Sequence, residues 1–216
     1  MKKATWRPGN MLYPVPAVMV SCGHYETPGD EAACNIITVA WSGTVCSDPA
    51  MVYVSIRPSR HSYSIIKETG EFVINLTTSA LTRAMDYCGV RSGREHNKFA
   101  EMQLTPQHAE TFKAPLIAES PVNIECKVTQ ILPLGTHDMF LAEVKAVRVN
   151  EDLLDETGKL QLEKAGLIAY SHGTYYEHGK ALGKFGYSVQ KKAKKKPAAP
   201  KRTPIAARKP KGGTSK

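Results

Sequence analysis

The chain has 216 residues, of which 42% are hydrophobic and 23% are charged, and this composition excludes a protein that is disordered throughout. The formal net charge of +9 is concentrated at the carboxyl end, where residues 191–216 hold 11 Lys or Arg and no acidic residue. The preceding residues, 1–190, hold 18 basic and 20 acidic side chains, so the charge describes a tail and not a basic folded surface.

The five cysteines exclude two further classes of protein. They are odd in number and contain no Cys-x-x-Cys pair, so neither a disulfide framework nor a structural zinc site is expected. The first ten residues, MKKATWRPGN, lack the apolar core of a secretory signal, and no run approaches the roughly 18 apolar residues of a membrane helix. We therefore expect a cytoplasmic protein with reduced thiols, no metal and no membrane contact.

Six apolar, β-branched runs separated by turn signals predict strands. They are residues 17–21, 35–42, 51–56, 71–76, 122–132 and 139–149. Several of the six are apolar on both faces, which is typical of strands that are covered on each side.

Two segments interrupt the strand pattern and predict helices. Residues 59–69 open with polar side chains and end before Gly70, as a short helix does. Residues 79–90 repeat apolar side chains about once per helical turn. A few helices among many short strands predict a mainly β, antiparallel barrel and not a doubly wound sheet.

Residues 191–216 predict a disordered, Lys/Pro-rich basic tail, because they combine eleven cations with four prolines and little apolar surface. The sequence therefore predicts one folded domain over residues 1–190.

The segment SIRPSRHSYSII is the first candidate for binding chemistry. A predicted strand ends at Arg57, and a predicted helix then opens with serines, an arginine and a histidine at residues 59–62. Free backbone N–H groups, hydroxyls and a guanidinium at a helix start favour a phosphate group, and Ser55 and Arg57 are additional phosphate-side candidates. The alternative is that the serines cap the helix and the arginines are solvated.

Other candidates lie on the strand NIITVAWSGTVCSDP and further along the chain. Trp41 at a strand end would cover an aromatic ring, although core packing is the commoner use of such a tryptophan. Lys98 and His137 begin elements after polar loops, where an anion contact and a solvated or structural role are both open. Common enzyme motifs are absent from the sequence, so a cofactor would carry any reaction.

Residues 35–76, together with HNKF around Lys98, GTHDMFLAEV around His137 and GLIAYSHGTYYEHGKALGKFG near the end, resemble the flavin reductase-like family of FMN-binding split barrels, in its flavoredoxin branch. The resemblance covers nearly all of residues 10–190 in order. It implies a mainly β fold, a six-stranded antiparallel Greek-key split β-barrel with a few peripheral helices. It also implies a homodimer that binds FMN near the subunit interface.

Carried over by motif, the resemblance assigns cofactor contacts to six side chains. Two would lie along the flavin from the first signature strand, two would bind its phosphate end, and two would reach it from the carboxyl-terminal half: Asn35 and Trp41, Ser62 and Lys98, His137 and Tyr170. Ser62 stands where the family has a threonine and Tyr170 where it has a phenylalanine, and both replacements keep the relevant chemistry. The resemblance implies no catalytic side chain.

These observations predict an FMN-binding oxidoreductase that accepts hydride or electrons from NAD(P)H or a protein donor and passes them on. A flavin carrier or electron-transfer protein without NAD(P)H turnover is the alternative, because the signature marks flavin binding and not nicotinamide binding. A third hypothesis gives the basic tail a nucleic-acid or acidic partner, although no aromatic residue is interleaved with its lysines for base stacking.

Overall fold

Twelve strands and three α-helices make up the regular structure of residues 1–190, the part of the chain that the computed structural model describes. The strands are β1 Val15–Pro16, β2 Val18–Gly23, β3 Cys34–Val39, β4 Ser42–Ser47, β5 Ala50–Ile56, β6 Glu71–Leu76, β7 Pro106–Gln107, β8 Leu116–Ile117, β9 Val122–Pro133, β10 Asp138–Val149, β11 Ile168–Ser171 and β12 Thr174–Glu177. The helices are α1 His61–Thr69, α2 Thr82–Val90 and α3 Lys98–Glu101.

Seven strands form one antiparallel sheet in the order β3-β2-β6-β9-β10-β5-β4. Its inner face encloses a core to which β2, β3, β5, β6, β9 and β10 all contribute, and α1 adds the fully buried Ile66. One backbone hydrogen bond, from Ser55 N–H to Trp41 C=O at 2.8 Å, joins β5 to the β3–β4 connection. The predicted mainly β, antiparallel split barrel is confirmed.

The apolar character of both faces of β2 follows from its position between two cores. Val18, Val20 and Cys22 alternate into the barrel core. Met19, and Ala17 just before the strand, face the other way, into a second buried cluster formed with α2 and α3. Because side chains alternate along a strand, a continuous apolar run is what a strand covered on both faces requires.

The strand number differs from the prediction, seven in the main sheet instead of six. The additional strand is β4, Ser42–Ser47, an edge strand that pairs with β5 and has three of its six residues exposed. Its sequence SGTVCS has too few apolar residues to mark a strand by periodicity, and its pairing with β5 defines it.

The two predicted helical segments are confirmed, with small changes at their starts. Helix α1 begins at His61 after Arg60, and Gly70 at φ +68° ends it by donating its N–H to Ile66 C=O. The second segment divides into a 3-10 turn, Ser79–Leu81, and α2.

A smaller antiparallel sheet, β1-β11-β12, lies in the same compact unit, Met1–Gly179. The second unit starts at Lys180 and is described only as far as Gln190, where Tyr187–Val189 forms a 3-10 turn. The predicted tail, 191–216, lies outside the described residues. Within residues 1–190, no helix combines the length and the apolar character that crossing a bilayer requires.

Candidate cofactor site

A basic cavity of about 200 Å³ lies where β3, the start of α1 and the loop between α2 and α3 meet. We call it the basic cavity, and its lining residues are 35, 37, 59–62, 88, 89, 91–94 and 98. Four of these residues carry a permanent positive charge or an ammonium group: Arg60, Arg91, Arg94 and Lys98. None of the described residues that line the cavity is an Asp or a Glu. This charge distribution favours an anion.

A buried hydrogen bond joins the two predicted contacts at the floor of this cavity. Asn35 Nδ2 donates to Ser62 Oγ at 2.7 Å. Helix α1 has Arg60 at its N-cap and no side-chain cap, so the alternative that serines cap this helix is not what the structure shows. Ser62 accepts this hydrogen bond and is itself fully buried beside the cavity.

Gly93 brings the α2–α3 loop against this hydrogen-bonded pair. A Cβ atom at this position would lie only 2.0 Å from Asn35 Oδ1, so any larger residue would have to displace the amide. Arg94 fixes the same loop to the helix start, because its guanidinium donates to Ser59 C=O at 3.2 Å. The loop therefore delivers Arg91 and Arg94 to the mouth of α1.

Lys98 is a buried part of the cavity wall and not a solvated lysine. Its ammonium donates to Ile36 C=O at 2.6 Å and to Cys88 C=O at 2.8 Å. Burial lowers the pKa of this ammonium below its usual value of 10.5. Two of its three donors are committed to the backbone, so Lys98 contributes mainly its charge to the anion site.

A second cavity of about 160 Å³ continues from the basic cavity along β3. We call it the middle cavity, and its lining residues are 37–41, 55–57, 60 and 137. It shares Ile37 and Arg60 with the basic cavity, so the two form one groove. Trp41, half-buried, lines the middle cavity but not the basic cavity. The groove thus leads from a basic end to an aromatic face.

His137 lines the middle cavity from the turn before β10. Its Nδ1 atom lies 3.0 Å from Thr136 Oγ1, which leaves Nε2 for a ligand. Burial lowers the pKa of this imidazole below 6.5, and the nearby guanidinium groups of Arg57 and Arg60 lower it further. His137 is therefore neutral at pH 7 and offers one hydrogen bond without a charge.

A third cavity of about 890 Å³ opens beyond Trp41. We call it the outer cavity, and its lining residues are 9–12, 15, 40, 41, 53, 55, 57, 134, 136, 137 and 139. It shares five residues with the middle cavity, among them Trp41, Ser55, Arg57 and His137. Two predicted phosphate-side residues, Ser55 and Arg57, therefore lie at the aromatic end of the groove and not in the basic cavity.

Tyr170 lines none of the three cavities. Its ring lies 5.8 Å from the ring of Tyr13, which in turn lies 6.3 Å from Trp41 and 6.0 Å from His172. The structure thus connects Tyr170 to the groove through Tyr13, across the pairing of β1 with β11.

The thiols near the groove are not poised for nucleophilic chemistry. Burial raises the pKa of the Cys22 thiol to about 12 and that of Cys88 to about 11. Cys34 is raised to a pKa of about 12 for the same reason. Thiols that stay protonated at neutral pH are packing residues. Within residues 1–190, no cluster of His, Cys, Asp and Glu is arranged to hold a metal ion.

The structure therefore brings seven of the eight predicted residues to one groove: Asn35, Trp41, Ser55, Arg57, Ser62, Lys98 and His137. Sequence reasoning missed Arg91, Gly93, Arg94 and Tyr13. A glycine between two arginines directly after an amphipathic helix is the signal that points to the loop. No local pattern marks Tyr13.

Comparison with known proteins places the chain in a family. The model of the flavin reductase like domain matches residues 11–179. The solved structure of flavoredoxin from Desulfovibrio vulgaris (Miyazaki F) has 31% sequence identity and a TM-score of 0.78, and the match covers 88% of this chain and all of that one. The protein belongs to the flavin reductase-like family, a flavin-binding family.

Two further proteins are similar to this chain at lower sequence identity. A flavoredoxin structure from Methanosarcina acetivorans has 26% identity and a TM-score of 0.76, covering 88% of this chain and 100% of that one. A protein named FMN reductase (NADH) from Pseudomonas syringae pv. syringae is 27% identical over 148 residues, 63% of this chain and 81% of that one.

Proposed function

We propose that the protein binds FMN in the groove and acts as an FMN-dependent oxidoreductase, taking hydride or electrons from NAD(P)H or a redox protein and passing them on. One observation carries the proposal: a basic cavity to which residues 1–190 contribute no carboxylate is continuous with a second cavity that Trp41 lines. A phosphate at one end and a flat ring at the other are the two ends of FMN.

The donor set fits this cofactor. Ser62 would donate its hydroxyl to the phosphate, and the guanidinium groups of Arg60 and Arg94 would neutralise it. Asn35 would hold Ser62 in place through the 2.7 Å hydrogen bond. Gly93 leaves the close approach that a Cβ atom would fill.

The bound FMN would supply the redox chemistry, and the side chains would control its environment. Trp41 would cover the ring and exclude water. His137 Nε2 would give a hydrogen bond without adding charge, since its pKa is lowered. The protonated thiols of Cys22 and Cys88 beneath the site would take no part. The site would then need no protein nucleophile.

The names of the relatives support a flavin-dependent redox function, since one is called an FMN reductase (NADH) and two are called flavoredoxins. We also propose that the protein is a homodimer with FMN near its interface. Tyr170 supports this arrangement, because it is a predicted flavin contact that lines none of the three cavities described above and would need another route to the cofactor. Light scattering of the FMN-loaded protein tests the dimer.

The cofactor assignment is tested by titrating the full chain, freed of flavin, with FMN and with riboflavin, which lacks the phosphate. We expect riboflavin to bind about a hundredfold more weakly. The double variant Arg60→Gln/Arg94→Gln should remove most of that difference, while Arg83→Gln, an exposed arginine on α2, should keep it. Equal affinity for the two flavins in the unaltered protein would contradict a phosphate site in the basic cavity.

The reaction is tested separately from the cofactor. FMN-loaded protein is mixed with NADH or NADPH without oxygen, and the flavin band at about 450 nm is followed. Bleaching by either nucleotide is the expected result. Retention of the band with both nucleotides would exclude direct NAD(P)H oxidation and leave a flavin carrier or electron-transfer protein that receives electrons from another protein.

A further inference from the structure

A fourth cavity, of about 330 Å³, lies at the corner where β1 runs into β2. We call it the corner cavity, and its lining residues are 14–18, 76, 77, 167–169 and 178. It shares no residue with the basic or the middle cavity, and only Val15 with the outer cavity. The groove proposed for FMN therefore does not account for the corner cavity.

The meeting of the two sheets forms the corner cavity. Strands β1, β2, β6 and β11 supply or adjoin all of its lining residues except His178. At the cavity, Ile168 N–H donates to Thr77 C=O at 3.1 Å and so joins the small sheet to the end of β6. The cavity has a buried floor that includes Ala17, Val18, Thr77 and Ile168, and His178 at its rim is exposed. A molecule can therefore enter from the surface and reach a buried floor.

The lining of the corner cavity favours a neutral, mainly apolar occupant. Nine of its eleven lining residues are apolar, and the exceptions are Thr77 and His178. None of the described residues that line it is an Asp, Glu, Lys or Arg. A charged molecule would lose its hydration there without gaining a partner of opposite charge. An apolar molecule gains by leaving water.

Thr77 provides the observation that points to a ligand. The residue is 2% exposed, and its Oγ1 atom is the one buried side-chain oxygen or nitrogen within residues 1–190 that has no hydrogen-bond partner. Leaving such a group unpaired is costly, so each case in a folded protein calls for an explanation. Because Thr77 lines the corner cavity, a molecule bound there can supply the missing partner.

Ordered water is a poor candidate for that partner. A buried water molecule is held by about two to four polar groups. Thr77 is the one buried polar side chain among the described residues that line this cavity. An organic molecule has apolar atoms to pack against the remaining walls and needs only one oxygen to meet the hydroxyl.

We propose that the corner cavity binds a small, neutral, mainly apolar molecule with one hydroxyl or carbonyl oxygen, which forms a hydrogen bond with Thr77 Oγ1. The apolar walls bind the body of this molecule, and the threonine selects for its oxygen. Since a cavity of about 150 Å³ already accommodates benzene, this one is large enough for a bicyclic skeleton. The site goes beyond the proposed function and does not depend on bound flavin.

Indane and 2-indanol test the proposal, because they share a bicyclic skeleton and differ in one hydroxyl group. Each is titrated into the full-length protein, and the amide signals of Thr77 and Ile168 are followed by NMR. We expect both signals to shift, and 2-indanol to bind about fivefold more tightly than indane, the preference that one neutral hydrogen bond gives.

Three variants assign that preference to the hydroxyl of Thr77. Thr77→Val keeps the shape of the side chain and should bind the two compounds equally, whereas Thr77→Ser should keep the preference. Thr174→Val alters an exposed threonine on β12 that does not line the cavity, and it should leave the preference unchanged. Thr77→Val should also be at least as stable to urea as the unaltered protein, because it removes a buried hydroxyl that has no partner.

Four outcomes would overturn the proposal. They are equal binding of the two compounds to the unaltered protein, a preference that survives in Thr77→Val, a clear loss of stability in Thr77→Val, and no binding of either compound, as expected if a second copy of the chain fills the cavity. The titrations are run with and without FMN. A protein that takes up no FMN contradicts the proposed function alone, since the preference for 2-indanol is measured in either state.

Discussion

Two asparagines are buried, Asn35 on β3 with 4% of its surface exposed and Asn75 on β6 with 0%. Their hydrogen-bond partners differ, and this difference separates a structural site from a functional one. Asn75 is surrounded by protein groups that use all of its hydrogen-bonding capacity. Asn35 is bonded to a serine that lines an open cavity. Burial of a polar side chain therefore indicates a site only when its partners lead to a ligand-sized space.

The Asn75 network is closed. Its amide nitrogen donates to Met19 C=O at 3.0 Å and to Ser21 Oγ at 2.9 Å. Its amide oxygen accepts from Ile117 N–H at 3.0 Å and from Asn123 Nδ2 at 2.7 Å. This side chain joins β2, β6, β8 and β9, and none of the three cavities of the groove touches it.

The largest expected effect is on stability and comes from Asn75→Ala. The substitution leaves several buried partners without a hydrogen bond, so we expect the free energy of unfolding to fall by about 3 kcal/mol. Urea unfolding measures the loss, and FMN affinity of the folded variant should stay within about twofold of the unaltered protein. A loss below about 1 kcal/mol would remove the distinction drawn between the two asparagines.

Asn35→Ala should show the reverse pattern. Loss of the amide frees Ser62 from its 2.7 Å partner, so we expect the Kd for FMN to rise about thirtyfold, while the free energy of unfolding falls by only about 1 kcal/mol. Flavin titration and urea unfolding of the same preparation give both values. A large stability loss with unchanged FMN affinity would make Asn35 another structural residue.

Gly93→Ala sharpens the same comparison by disturbing Asn35 without altering it. The new Cβ atom would lie 2.0 Å from Asn35 Oδ1, so the loop or the amide must move, and we expect FMN affinity to fall about tenfold. Gly179→Ala is the matched control, because nothing lies within 4 Å of a Cβ atom built there. Equal FMN affinity in the two variants would show that the close approach of Gly93 does not support the site.

The smallest expected effect is a pH dependence that comes from Lys98. The FMN phosphate is attracted by the charged ammonium, so affinity is fullest below the pKa of Lys98 and falls as the pH rises through it. Because burial lowers this pKa below 10.5, we expect FMN affinity to fall severalfold at a pH below the ordinary lysine range.

Riboflavin provides the control for this titration, because it has the same ring and no phosphate. Its affinity should change little over the same pH range, and Lys98→Met should bind FMN weakly without the pH dependence. Circular dichroism checks that the variant is folded. A parallel loss of riboflavin and FMN binding would assign the effect to the ring or to the protein fold.

Much of the fold follows from local sequence. The six predicted strands and two predicted helices are present because alternating apolar residues and a terminal glycine act within a few residues of one another. The strand β4 escaped prediction because its pairing with β5, and not its own pattern, defines it.

The sequence by itself determined the family, the barrel class and most residues of the groove, since each motif lies within one strand or one helix start. The tertiary structure decided which charged side chains and backbone groups lie together at the site. Arg94 reaches Ser59 across 35 residues, and Lys98 is buried against Ile36 across 62. It also placed Ser55 and Arg57 at the aromatic end of the groove. Such juxtapositions depend on how strands and loops distant in sequence pack together, and no local periodicity records that packing.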